Sequence, residues 1–203
     1  MSQPPLILEL SALYCQPDRH YHDLRHVSDL LLWGRAFPLD EIQTWAVWFH
    51  DAIYDASRRD NEELSAQLAE ARLPGLGYDK AFVGEVAQIV RDTAKHIATT
   101  PRSGAVMDLD LAPLAIPREA FIANRARIRK EYAFACDEEF KTGTAAFARS
   151  STPSATRAPS RRSSSARTST TLTPPSTSTS ARAARAWFAG ARTRAASTTT
   201  SSP

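Results

Sequence analysis

Runs of apolar residues at helical spacing alternate with short polar breaks over about the first 140 residues, and no useful stretch alternates residue by residue as a strand would. The pattern predicts an all-α fold. Leu6–Tyr14 is a short amphipathic opening helix. After Pro17, the positions Leu24, Val27, Leu30, Leu31 and Trp33 define a helix over Tyr21–Phe37, which Pro38-Leu39-Asp40 breaks. Asp40 is an N-cap for a helix over Glu41–Tyr54. Its Ile42, Trp45, Ala46, Val47, Trp48, Phe49 and Ile53 leave almost no polar face, so it belongs at the centre of the fold.

The polar stretch Asp55–Arg59 leads to a helix opened by Asp60, with Glu63 completing a capping box, and closed by Pro74-Gly75-Leu76-Gly77. Phe82, Val83, Val86, Ile89 and Val90 mark a helix over Asp79–Ile97. A loop follows over Thr99–Gly104, then a short apolar-acidic segment over Asp108–Leu114. Pro117 suits the first position of a last helix reaching about Phe140.

Composition divides the chain. Of the 55 residues from Arg149 to Pro203, all but Leu172, Trp187, Phe188 and Gly190 are Ser, Thr, Arg, Ala or Pro. Residues 1–148 hold 16 Lys and Arg against 22 Asp and Glu, a net −6, while the remainder holds nine Arg and no acid. The basic balance is therefore a property of the C-terminal segment and not a nucleic-acid signature of the body. Cys15 and Cys136 lack metal-type spacing and read as free thiols of a reducing compartment. No signal peptide or membrane span is evident, so the expected location is cytoplasmic.

All five histidines, His20, His22, His26, His50 and His96, lie in the first half. His50-Asp51 ends the most apolar helix, where an imidazole and a carboxylate are costly to bury without a partner or an ion. His22 and His26 are four apart and share a helical face. Asp92 and His96 have the same spacing, so Asp92 could orient His96. Asp108 and Asp110 follow a loop and can point inward. Each has a structural alternative: His20 as a surface or capping residue, Asp108 and Asp110 as loop solubilisers. Together they supply the mixed nitrogen and oxygen donors of a catalytic divalent-metal site. Mn, Mg, Fe, Co and Zn all suit such a set.

The order His26, His50-Asp51, Asp110 in a helical frame resembles the HD-domain metal-dependent phosphohydrolase superfamily. The strings Arg19-His20-Tyr21-His22-Asp23-Leu24-Arg25-His26-Val27, Trp48-Phe49-His50-Asp51-Ala52-Ile53-Tyr54-Asp55, Asn61-Glu62-Glu63-Leu64-Ser65-Ala66, Thr93-Ala94-Lys95-His96, Asp108-Leu109-Asp110-Leu111-Ala112 and Ile128-Arg129-Lys130-Glu131-Tyr132 are similar to a bacterial branch of it. The resemblance covers roughly residues 5–143. It implies an HD-domain-like helical bundle, a domain over 5–146, and metal ligation by His26, His50, Asp51 and Asp110, with Asp108 as the alternate to Asp110.

It further implies that His22 supports a ligand or touches substrate. His96 would contact phosphate or a second ion, and Asp51, His96 and Glu62 would serve catalysis. Glu62 either holds the reacting water or serves its helix N-terminus. Arg19 and Arg129 become phosphate-binding candidates, since a guanidinium fork matches phosphate oxygens; ordinary salt bridges are their alternative. The implied activity is hydrolysis of a small phosphorylated metabolite or nucleotide, as a phosphomonoesterase or phosphodiesterase, through a metal-activated water.

A non-catalytic nucleotide-binding or signalling module of the same type is the alternative. Oligomeric state stays open, a homo-oligomer included. Past Phe147 the sequence departs from the family's expected helix. The segment 149–203 cannot bury enough apolar surface to order itself, and reads as the product of a shifted reading frame or as a natural disordered tail. Nucleic-acid binding through it would lack stacking aromatics apart from Trp187 and Phe188.

Overall fold

A computed structural model of the chain describes residues 5–36 and 38–150, so the low-complexity segment lies outside the described residues apart from its first two positions. Among the described residues the protein is all-α. The helices are α1 (Leu6–Tyr14), α2 (Leu24–Gly34), α3 (Glu41–Phe49), α4 (Asn61–Arg72), α5 (Lys80–Thr93), α6 (Ser103–Asp110), α7 (Arg118–Glu131) and α8 (Asp137–Ser150). Two 3-10 turns, Leu73–Leu76 and Ala112–Ala115, lie between them, and no strand occurs among the described residues.

The core is built by α1 to α6. Leu10, Tyr14, Val27, Leu30, Val47, Phe49, Leu73, Val86, Ile89, Val90 and Val106 are almost wholly removed from solvent. Each such aliphatic side chain stabilises the fold by about 1.5–3 kcal/mol. α5 packs on α3 and α4, while α2, α3 and α6 pack on one another. Trp45 and Trp48 of α3 close around the same core, as a helix apolar on all sides requires.

Helix boundaries follow local hydrogen bonding. Asp40 caps α3 as expected, its carboxylate accepting from the Gln43 amide while the Asp40 amide donates to the Gln43 side-chain oxygen. Asp79 caps α5 through the Phe82 amide. Gly77, at φ 90, ends the 3-10 turn after α4 in the left-handed conformation glycine tolerates.

Other boundaries depart from the periodicity. α2 starts at Leu24 and not Tyr21, because the Asp23 carboxylate caps it through the amides of Arg25 and His26. α3 stops at Phe49, so His50 closes the helix and Asp51 lies beyond it. The capping box expected of Asp60 and Glu63 does not form. Arg58 takes the Asp60 carboxylate, and Arg91 takes that of Glu63. α5 ends at Thr93, short of Ile97, and α6 starts at Ser103, inside the expected loop.

The single helix expected from Pro117 to Phe140 is two, α7 and α8, parted at Tyr132–Cys136, and Pro117 is the cap of α7. α8 reaches Ser150, just past the change in composition. Cys15 and Cys136 are free and exposed. No helix of the described residues is long and apolar enough to cross a membrane.

Candidate metal centre

Three packed helices bring their chemistry to one place. His26 lies in the first turn of α2, His50 at the end of α3, and Asp110 at the end of α6. One ligand atom from each of His26, His50 and Asp51 falls within a group no more than 4.8 Å across, and such a group could hold a metal ion. The Nε2 atoms of His26 and His50 are 3.3 Å apart. Asp51 Oδ2 is 3.0 Å from His50 Nε2 and 3.8 Å from His26 Nε2. Asp110 Oδ1 is 3.4 Å from His26 Nε2 and 3.8 Å from His50 Nε2.

Donors about 2.1 Å from an ion stand roughly 3.0–3.4 Å from one another in octahedral or tetrahedral arrangement; three of these separations lie in that range, and the two at 3.8 Å lie a few tenths of an ångström beyond it. The tautomer fits as well. His50 Nδ1 donates to the Val47 carbonyl at 2.8 Å, which leaves the Nε2 lone pair directed at the other imidazole. Two facing ring nitrogens need a proton or a cation between them.

The electrostatics show the same demand for positive charge. Burial pushes the His50 pKa down, but the Asp51 and Asp110 carboxylates and the Val47 carbonyl outweigh it and hold His50 at about 9. Burial pushes Asp51 up, and the charge and hydrogen bond of His50 bring it well below the usual carboxylate range. Asp110 is likewise pushed up by burial and drawn down further by its bonds to His26 and His96.

Asp51 is held by its backbone. Its amide donates to the Tyr14 hydroxyl at 3.2 Å, and that hydroxyl donates to the Trp48 carbonyl at 3.1 Å. Arg19 donates to the carbonyls of Asp51 at 2.6 Å and Ala52 at 2.7 Å, and to that of His22 at 3.1 Å. Its guanidinium lies 5.0 Å from the Tyr14 ring centre and 5.6 Å from that of Tyr54. Arg19 is thus a buried clamp on the turn that carries Asp51, its donors directed at carbonyls where phosphate contact was expected.

Arg129 is also engaged. It binds Asp137 and the carbonyls of Tyr132 and Ala135, none of which belongs to the His/Asp group. Of the two acidic alternatives it is Asp110 whose carboxylate reaches the imidazoles.

His96 joins the group through Asp110, with Nε2 at 2.9 Å from Oδ2. It follows α5 at φ 50, a left-handed conformation that costs a non-glycine residue about 1–2 kcal/mol. Asp92 does not orient it. That carboxylate is taken by Gln88, by the amide and hydroxyl of Thr99, and by Ser103, and so ties the end of α5 to the start of α6.

Glu62, in the first turn of α4, has its pKa raised by burial and by the nearby charge of Asp51, against a backbone hydrogen bond that lowers it. A more basic carboxyl near the group suits a proton acceptor. His22 lies outside α2, so it shares no helical face with His26, yet the ring centres are 5.9 Å apart and His22 stacks on Tyr54 at 4.2 Å. His20 enters through its backbone alone in the contacts at this site.

Glu131 belongs to this site although nothing in its sequence neighbourhood points to it. Glu131, at the end of α7, accepts from the amides of His20, Tyr21 and His22 at 2.8, 2.6 and 2.9 Å through Oε1. Its Oε2 accepts from His22 Nδ1 at 2.7 Å and from the Tyr54 hydroxyl at 3.2 Å. An acid among Arg129, Lys130 and Tyr132 reads as an ordinary solvated helix end, and nothing in the sequence marks it as a partner of residues more than a hundred positions earlier.

Comparison of the chain with protein-family models, with curated proteins and with solved structures gave no match.

Proposed function

We propose that this protein is a metal-dependent phosphohydrolase of the HD-domain type, acting on a small phosphorylated metabolite or nucleotide. One observation carries the reading: His26, the pair His50-Asp51 and Asp110, from three separate stretches of the chain, meet with donor separations that suit a divalent ion. Those four residues would hold the ion. When bound, it draws charge from a phosphoryl oxygen and lowers the pKa of a water towards neutrality.

The residues around it have separable tasks. Tyr14 and Arg19 fix the turn that carries Asp51. The Val47 carbonyl fixes the tautomer of His50. Asp110 is shared between the imidazole pair and His96, so His96 is oriented at the edge of the centre, where it can stabilise charge developing on a transferred phosphoryl group. Glu62, made more basic by burial, is the nearby carboxyl suited to take a proton from the attacking water.

The test is metal analysis of the purified full-length protein together with a panel of phosphate esters under a screen of Mn, Mg, Fe, Co and Zn. His50→Ala and Asp51→Ala are expected to lose bound metal and ester hydrolysis together. Undiminished hydrolysis by protein stripped of metal would refute the reading.

A further inference from the structure

Residues 20–22 form a bend in which three successive amides converge on one carboxylate oxygen. Successive N–H groups aimed at one point make an anion-binding concavity. Here the anion is internal. Glu131 supplies it from α7, with 1% of its side chain exposed, and its second oxygen faces His22 Nδ1 and the Tyr54 hydroxyl. Five donors on one carboxylate leave it little freedom to rotate. Burial alone would raise the Glu131 pKa, but the hydrogen bond and charge of His22 and the backbone amides bring it to about 2.

A carboxylate can only accept, so the proton of the His22–Glu131 contact must sit on Nδ1. Nε2 is then the ring nitrogen left to meet a ligand. The ring is clamped on both sides of that choice, stacked on Tyr54 at 4.2 Å and set edge-on to His26 at 5.9 Å.

We propose that Glu131 is a positioning residue which fixes the tautomer and orientation of His22, so that the His22 Nε2 lone pair accepts a hydrogen bond from the water that attacks the phosphate ester beside the metal ligands. The proposal rests on the phosphohydrolase reading for its ligand, but the His22–Glu131 contact can be read without any activity. In 15N-labelled full-length protein, the neutral His22 ring should carry its proton on Nδ1; a proton on Nε2 overturns the proposal.

Glu131→Gln keeps an oxygen for the three amides and turns an NH2 towards His22, so the ring should switch to the Nε2–H tautomer. With Mn²⁺ and para-nitrophenyl phosphate, kcat should fall about 10–100-fold while KM stays within about threefold and bound metal is unchanged. In a His22→Ala background the same substitution should have less than about a twofold further effect. An equal loss in both backgrounds would mean that Glu131 acts through the fold alone, and the proposal fails. Wild-type protein that binds metal but hydrolyses no ester refutes the phosphohydrolase reading instead, and the 15N spectrum still decides the positioning.

Discussion

The six helices α1 to α6 and the pair α7–α8 are held by different forces. In the first region the contacts are apolar and continuous: Leu10, Val27, Leu30, Val47, Phe49, Val86, Ile89 and Val90 all have no measurable exposure. In the second, α7 adds no apolar side chain to the core, its one deeply buried side chain being the Glu131 carboxylate, and Phe121, Ile122, Phe134 and Phe147 are exposed. What links α7 to the rest is polar. Glu131 takes the amides of residues 20–22, and Arg127 binds the His20 carbonyl and the Asp23 carboxylate. Apolar packing rewards area and tolerates small shifts, whereas a five-donor carboxylate accepts one geometry. The outer helices therefore contribute precision to the site while the inner ones contribute stability.

That contrast is open to graded tests. The largest stability effect should come from the inner region, where Ile89→Ala removes a wholly buried side chain and should cost about 2–5 kcal/mol in chemical denaturation. A loss below 1 kcal/mol would break the comparison.

Next comes the pH dependence of the centre between the two regions. His50 is raised from 6.5 to about 9, so in metal-free protein its charged form stabilises fully below pH 6.5 and the contribution is lost as pH rises through 9. Metal binding runs the other way, because an ion needs Nε2 unprotonated. Affinity measured by calorimetry should climb by up to about tenfold per pH unit between pH 6.5 and 9; a flat profile would show that His50 gives up no proton on binding.

Arg19→Met separates a clamp from a substrate contact. Leaving the Asp51 and Ala52 carbonyls without their charged donor should cost about 1.5–3 kcal/mol and weaken metal binding about tenfold. An arginine that touched substrate would raise KM and leave the melting temperature alone. The smallest effect is expected on α7. Ile122→Gln should change stability by no more than about 0.5 kcal/mol, and a larger loss would reveal that this face is covered.

The all-α class, the capped start of α3 and its central place were legible because they rest on local signals: a period of 3.6, an Asp N-cap, a run of apolar residues. The candidate ligands were legible as residue types, since His50-Asp51 at the end of an apolar helix is costly without a partner. Boundaries were less so where two local signals compete. Asp60 could cap α4 or bind Arg58, and it binds Arg58. The tasks of Arg19, Asp92 and Glu131 were not legible at all, because each is defined by partners that only chain folding brings near.

The sequence by itself determined the helical class, the split between an acidic body and an arginine-rich segment, and the set of imidazoles and carboxylates from which a site could be drawn. Periodicity, composition and residue chemistry are properties of the chain before it folds. Only the tertiary structure decided which of them meet: that Asp110 faces His26 at 3.4 Å, that Arg19 holds the turn of Asp51, and that Glu131 reaches back across more than a hundred residues to His22. Those contacts depend on how α2, α3, α6 and α7 pack, and a hydrogen bond formed across such distances leaves no period in the sequence.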